Sequence, residues 1–182
     1  MRKLTQADYV RTPWKNGGGE TVQLAVFPPS AGLDHFVWRI SMATVAEAGS
    51  FSSFPGVDRT LTILDGRLEL DIEAIGSQVL DPGSEPLHFA GERAVAARPI
   101  GGPVTDLNVM TRRTNARHAV RRAGPGSTIQ CRDLTAFFAV ASTRLEGAGP
   151  IWLEPTDLLV AEGPATVAVT SGLVLVVSLS VL

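Results

Sequence analysis

Arg59 is the residue whose neighbours give it a direction. In "RTLTILDG", residues 59–66, it is in phase with Leu61 and Ile63, while Thr60 and Thr62 occupy the alternate positions. Side chains on a strand alternate between faces. If Leu61 and Ile63 face an interior, so does Arg59. A guanidinium taken out of water needs an anionic partner. Two kinds are open: an anionic ligand, or an acid of the chain itself, Asp58 or Asp106. The stretch "VTDLNVMTRR", residues 104–113, follows the same logic. Asp106, Asn108, Met110 and Arg112 share one face, and Leu107 and Val109 the other. An apolar outer face and a mixed inner face suit a barrel with a polar cavity; an ordinary half-exposed strand is the alternative. "PWKNGGGE", residues 13–20, sets a flat aromatic (Trp14), a cation (Lys15) and an amide (Asn16) before three glycines. Glycine lets a backbone turn or lets a ligand come close, so this stretch is either a loop entering a strand or the wall of a site.

The elements that must position these residues read as strands. The chain has 182 residues, with 18 glycines and 12 prolines at short intervals. Between them lie short runs of Val, Ile, Leu, Phe and Thr, the signature of an all-β sandwich or barrel. In "TVQLAV" Val22, Leu24 and Val26 share a face. In "FVWRISM" Trp38, Ile40 and Met42 take one face and Val37, Arg39 and Ser41 the other. Residues 59–73 read as a hairpin turning at Asp65-Gly66. Further strands are expected over 86–90, 94–98, 104–112, 117–122, 135–142, 157–161, 165–170 and 173–181. Thr5–Tyr9 can form one short helical turn. "RAGPGST", residues 122–128, is the best boundary candidate, dividing a larger N-terminal part (1–122) from a smaller strand-rich part (123–182).

Composition closes several doors. The formal net charge is −2, from 16 basic and 18 acidic residues, which argues against a general grip on nucleic acid. "RRTNARHAVRR", residues 112–122, carries five arginines but no interleaved aromatic, and reads as a solvated edge strand kept from aggregation by its charge. Cys131 is the only cysteine, so neither a disulfide nor a cysteine-built zinc site is available. His35, His88 and His118 are isolated and form no ligand pair. A phosphate loop would need Gly-Lys-Ser/Thr ahead of a helix; here Lys15 precedes the glycines and a strand follows. The start "MRKLTQADYV" lacks the apolar run of a secretory signal. Leu173–Leu182 is too short to span a bilayer; it can be a central strand or part of a homodimer seam. The expected compartment is the cytoplasm, with no membrane partner.

"WKNGGGET", "WRISMATVAEAGSFSSFPGVDRTLTILDG", "FAGE" and "DLNVMTRR" together resemble the HutD/Ves family, over about the whole length and most strongly over Trp14–Arg113. The resemblance implies a cupin fold of the RmlC-like type, in a bicupin arrangement. It also implies a link to bacterial histidine utilisation, as a modulator and not a catalyst, with formylglutamate or urocanate as ligand. Metal-binding cupins carry G-x5-H-x-H-x3–4-E-x6-G and G-x5-P-x-G-x2-H-x3-N. Anchored on Gly66, the glutamate position holds Arg59, the second histidine Phe54 and the first Ser52. In the second motif Pro99, Gly101 and Asn108 match, and Val104 replaces the histidine. Ala46 and Arg93 stand where the opening glycines would be. The comparison implies a site without metal or other cofactor, its charge reversed at Arg59 to suit an anion. Arg59 would clamp a carboxylate, Asn16 and Asn108 would orient it, Trp14 would pack against it and Lys15 would add charge, with Asp106 and Met110 on the same wall. The rival expectation is a metal-free cupin isomerase, epimerase or hydrolase-like enzyme with Asp58 or Asp106 as its base.

Overall fold

The structure is a computed structural model; it describes residues 1–14 and 18–182. The regular structure of the described residues is almost entirely β, as the punctuation predicts, and the one helical element is a 3-10 turn at Gln6–Asp8. Asp8 closes that turn by accepting hydrogen bonds from the Thr5 amide (2.8 Å) and hydroxyl (3.1 Å). No helix among the described residues is long and apolar enough to cross a membrane.

The strands fall into two units, Val10–Asn115 and Met1–Tyr9 with Ala116–Leu182. In the first, a six-stranded antiparallel sheet runs in the order Val10–Pro13, Gly19–Phe27, Trp38–Val45, Val104–Arg112, Val57–Asp65, Leu87–Ala90. A four-stranded sheet follows the order Gly49–Ser50, Val95–Pro99, Leu68–Ile72, Gly76–Leu80. The two share a core in which Leu61 and Ile63 from the larger sheet meet Leu68, Leu70 and Ile72 from the smaller. Leu61, Leu68 and Leu70 are wholly buried, each burial contributing roughly 1.5–3 kcal/mol. Trp38, Ile40, Met42, Leu107 and Val109, on the opposite face of the larger sheet, are buried too.

The hairpin expected over 59–73 does not form. Val57–Asp65 pairs with Val104–Arg112 and Leu87–Ala90, whereas Leu68–Ile72 pairs with Val95–Pro99 and Gly76–Leu80. The Asp65-Gly66 turn carries the chain from one sheet to the other. Gly66 has φ +82°, and a Cβ there would lie 2.9 Å from the Pro103 carbonyl oxygen. Both its backbone angle and its close neighbour require glycine.

In the second unit a five-stranded sheet runs Arg2–Leu4, Leu158–Glu162, Leu134–Ala139, Val174–Val181, Ala116–Ala123, and a four-stranded sheet runs Thr128–Cys131, Ala165–Ser171, Thr143–Glu146, Pro150–Leu153. Phe137, Leu145, Leu153, Val167 and Val176 centre its core. Val174–Val181 is an interior strand, the first of the two roles open to the apolar C-terminal stretch. The sequence placed the division at 122/123; the contacts place it after Asn115 and assign residues 1–9 to the C-terminal unit. Pairing decides this, since Arg2–Leu4 bonds to Leu158–Val160 and Ala116–Ala123 bonds to Val174–Val181.

Ala116–Ala123 is an edge strand with alternating exposed arginines, as the basic run suggested. Arg112 and Arg113 are not part of it; both are half-buried and held by partners. Arg112 donates to the Phe36 (3.1 Å) and Asp34 (2.8 Å) carbonyls. Arg113 pairs with Asp58 (2.6 Å) and in two-pronged fashion with Glu92 (2.9 and 2.6 Å).

Candidate functional site

A cavity of about 540 Å³ lies in the Val10–Asn115 unit. Its wall is the inner face of three adjacent strands of the larger sheet. Val104–Arg112 contributes Asp106, Asn108 and Met110; Val57–Asp65 contributes Arg59; Trp38–Val45 contributes Arg39, Ser41 and Ala43. Thr21 and Gln23 extend the wall, Trp14 and Gly18 edge it, and Phe51, Ser52 and Phe54 face it from the loop before Val57.

Arg59 is only 6% exposed. Its guanidinium carbon sits 4.5 Å from the Phe51 ring centroid and 5.6 Å from that of Phe89, a cation held against two aromatic faces. Its Nε donates to Asn108 Oδ1 (2.7 Å), and Asn108 Nδ2 donates to Asp106 Oδ1. Arginine only donates and a carboxylate accepts, so this is the one orientation of the Asn108 amide that satisfies both neighbours. Burial lowers the Arg59 pKa to about 10, with Asp106 opposing the fall and Arg39 adding to it. The group therefore remains a cation at neutral pH. Among the described residues, neither terminal nitrogen of Arg59 has a hydrogen-bond acceptor.

Asp106 is fully buried, and burial raises its pKa to about 7 against the pull of Arg59. Its Oδ2 has no hydrogen-bond partner among the described residues. Of the two acids the sequence offered Arg59, Asp58 is taken by Arg113, and Asp106 reaches Arg59 only through Asn108.

The sequence candidates Arg59, Trp14, Asn108, Asp106 and Met110 thus line one cavity. Lys15 and Asn16 lie outside the described residues. Arg112, expected on the same face as Met110, packs over Phe36, a core neighbour of Met110, and caps the loop at Asp34–Phe36 without lining the cavity. Trp14 explains the last glycine of its run. The Trp14 amide donates to the Gly19 carbonyl (2.9 Å), the indole Nε1 donates to Thr21 Oγ1 (2.8 Å), and a Cβ on Gly19 would lie 3.0 Å from the ring and 2.1 Å from the Thr44 oxygen. Arg39 is the functional candidate that sequence reasoning passed over. The signal was present: Arg39 and Ser41 alternate with Trp38, Ile40 and Met42 as Asp106 and Asn108 alternate with Leu107 and Val109.

Metal does not fit this site. The four positions where metal-binding cupins keep their ligands hold Ser52, Phe54, Arg59 and Val104. Three of these line the cavity, and Val104 is packed in the core. A hydroxyl, a phenyl ring, a guanidinium and an isopropyl group are not a ligand set for a transition metal. No trio of His, Cys, Asp or Glu among the described residues is arranged to hold an ion.

Two antiparallel sheets enclosing a cavity, in each of two units along one chain or in one of them, are the architecture of the cupin class. A cupin 2 conserved barrel domain protein from Leptotrichia buccalis superposes with a TM-score of 0.60 over 98% of this chain and 91% of its own, at 10% identity, which establishes the fold alone. The HutD family model matches residues 6–175, and the chain belongs to the HutD family. HutD from Pseudomonas fluorescens SBW25, solved in a formate condition, is 29% identical with a TM-score of 0.88, covering 100% of this chain and 98% of that one. A 21.2 kDa protein from the hutC 3' region of Pseudomonas putida is 33% identical over 147 residues, 80% of this chain and 76% of that protein.

Proposed function

We propose that the protein binds a small organic anion in the Arg59 cavity, and that this binding modulates histidine utilisation. The observation that carries the reading is a buried guanidinium, protonated at neutral pH, whose terminal nitrogens find no acceptor among the described residues. A carboxylate in the cavity would accept both of their hydrogen bonds in the two-pronged geometry that suits this pair. The HutD membership and the relative from the hutC region support the link to histidine utilisation. Formylglutamate and urocanate are the ligands to try first.

Calorimetric titration of the chain with both compounds tests this. Arg59→Met keeps the bulk and removes the charge, and should weaken binding by about 2–5 kcal/mol. Arg59→Lys should also weaken it, because a point charge does not reproduce the fork. Arg117→Met, on the exposed edge strand, should leave binding unchanged. Wild-type binding that survives Arg59→Met would put the ligand elsewhere, and no binding of either compound would remove both as ligands.

Asp106 favours a second reading. A buried carboxyl with a pKa near 7 and an unpartnered oxygen on a cavity wall is what a general base needs. A metal-free isomerase or epimerase would use it to move a proton on the bound anion. Incubation in deuterated water followed by NMR separates the two readings. Deuterium entering a carbon of the ligand, and lost in Asp106→Asn, means catalysis; saturable binding without exchange means a binding protein.

A further inference from the structure

The two units repeat one plan. In the first, Trp38–Val45, Val104–Arg112, Val57–Asp65 and Leu87–Ala90 are consecutive neighbours in the larger sheet, and Gly49–Ser50, Val95–Pro99, Leu68–Ile72 and Gly76–Leu80 in the smaller. In the second, Ala116–Ala123, Val174–Val181, Leu134–Ala139 and Leu158–Glu162 follow in the same order, as do Thr128–Cys131, Ala165–Ser171, Thr143–Glu146 and Pro150–Leu153. Taken along the chain, each strand of the first set has its counterpart in the second. The three strands that wall the Arg59 cavity correspond to Ala116–Ala123, Val174–Val181 and Leu134–Ala139.

A cavity of about 380 Å³ lies on these counterparts, lined by Arg117, Thr135, Ser178 and Ser180 from the strands and by Arg132 and Asp133 from the segment before Leu134. Ala123, Val174, Val176 and Phe137 sit on the same faces and fill the core. Ser178 is exposed although its strand is interior to the sheet, so the apolar filling stops short of it and leaves a hollow. Register carries the comparison to single residues. Val45 pairs with Val104 and Ala123 with Val174, which makes Arg117 the counterpart of Arg39 and Ser180 that of Met110. Leu134 pairs with Leu179, so Asp133 comes up beside Ser180, on the side away from Arg117. Where the first cavity has Arg59, the second has an acid. Among the described residues, Arg117, Arg132 and Asp133 have no ion-pair partner.

We infer that this second cavity is a separate binding site for a small zwitterion of the α-amino acid class, with the carboxylate at Arg117 and Arg132 and the ammonium at Asp133. A plain anion would meet Asp133 as a like charge, and a plain cation would meet two arginines; like charges brought together cost affinity and opposite ones favour it. A molecule carrying both charges close together answers all three side chains. The Ser178 and Ser180 hydroxyls, able to donate or to accept, suit either end of it. The inference does not depend on the anion-binding reading of Arg59.

Amide chemical shifts of the isotope-labelled full chain read both cavities in one titration. L-Alanine should give saturable shifts at residues 132–135 and 178–180. Propanoate lacks its ammonium and ethylamine its carboxylate; each should bind there about threefold or more weakly, the scale of one exposed charge pair. Arg117→Met and Asp133→Asn should each weaken L-alanine by about threefold or more, and Arg117→Lys should recover part of the loss. Both side chains are exposed, so the rest of the spectrum should stay in place, which separates a lost contact from a lost fold. Absence of saturable L-alanine shifts at 132–135 and 178–180 overturns the inference, and so does propanoate or ethylamine matching L-alanine there. Either result leaves the Arg59 site standing, because the residues of that cavity report on it separately.

Discussion

Asn108 is fixed by what its neighbours are able to do, and that fixes the electrostatics of Asp106. One carboxylate oxygen accepts from Asn108 and the other has no partner among the described residues, so the charged form gains little and burial dominates. The folded carboxyl takes its proton at about 7, and in the unfolded chain it would do so near the ordinary aspartate value of about 3.9. Between those values the folded state holds more protons than the unfolded one. Stability therefore falls as pH rises through this window, and the penalty is complete above about 7. Asp106→Asn removes the titration. Comparing melting temperatures of wild type and variant from pH 5 to 8 isolates this group, because every other titration is common to both. The variant should gain on the wild type as pH rises, by on the order of 2 kcal/mol over the range. Parallel curves would mean that the carboxyl is ionised throughout. Composition and alternation put Asp106 and Asn108 beside Arg59; which of them touches it depends on side-chain geometry that no spacing encodes.

At the scale of the strand, the turn at Gly66 is where the sequence misled and where the fold is most exposed to change. A two-residue Asp-Gly turn between alternating runs is the usual mark of a hairpin. Alternation tells which residues share a face but not which strand will be the neighbour. Here the neighbours come from residues 76–80 and 87–112. Gly66→Ala should destabilise by about 1–2 kcal/mol for the left-handed backbone, and by more if Pro103 cannot withdraw from the new methyl group. Gly149→Ala, where a Cβ meets nothing and φ is ordinary, should stay within about 0.5 kcal/mol. Urea titrations of the two variants make the comparison; equal midpoints would show that the turn relaxes. The same period-2 rule that aimed Arg59 inward aims Arg39 inward as well. A Trp-Ile-Met face looks like a core with a wet side opposite, whereas in this sheet both faces are buried. Arg2–Leu4 and Val10–Pro13 were illegible for a different reason: they are mostly exposed and carry no apolar alternation.

Over the whole molecule, the division into units follows strand pairing between distant segments, which is why residues 1–9 belong with 116–182. Local punctuation put the boundary at 122/123, seven residues past Asn115, and carried no sign of the N-terminal exchange. The three tryptophans are distributed unequally over this plan. Trp38 is 7% exposed and stacks on Phe27 at 6.1 Å, Trp152 is 62% exposed beside Arg144, and Trp14 edges the cavity with its indole tied to Thr21. Replacing Trp38 and Trp152 by Phe, the first keeping an aromatic ring in the stack, leaves Trp14 as the sole long-wavelength emitter. A molecule entering the cavity displaces water from that indole, so its emission should move to shorter wavelength in proportion to occupancy. A ligand held anywhere else would leave the spectrum still. The glycine that leaves room for the Trp14 ring beside the strand thereby gives the protein an optical gauge of its own filling.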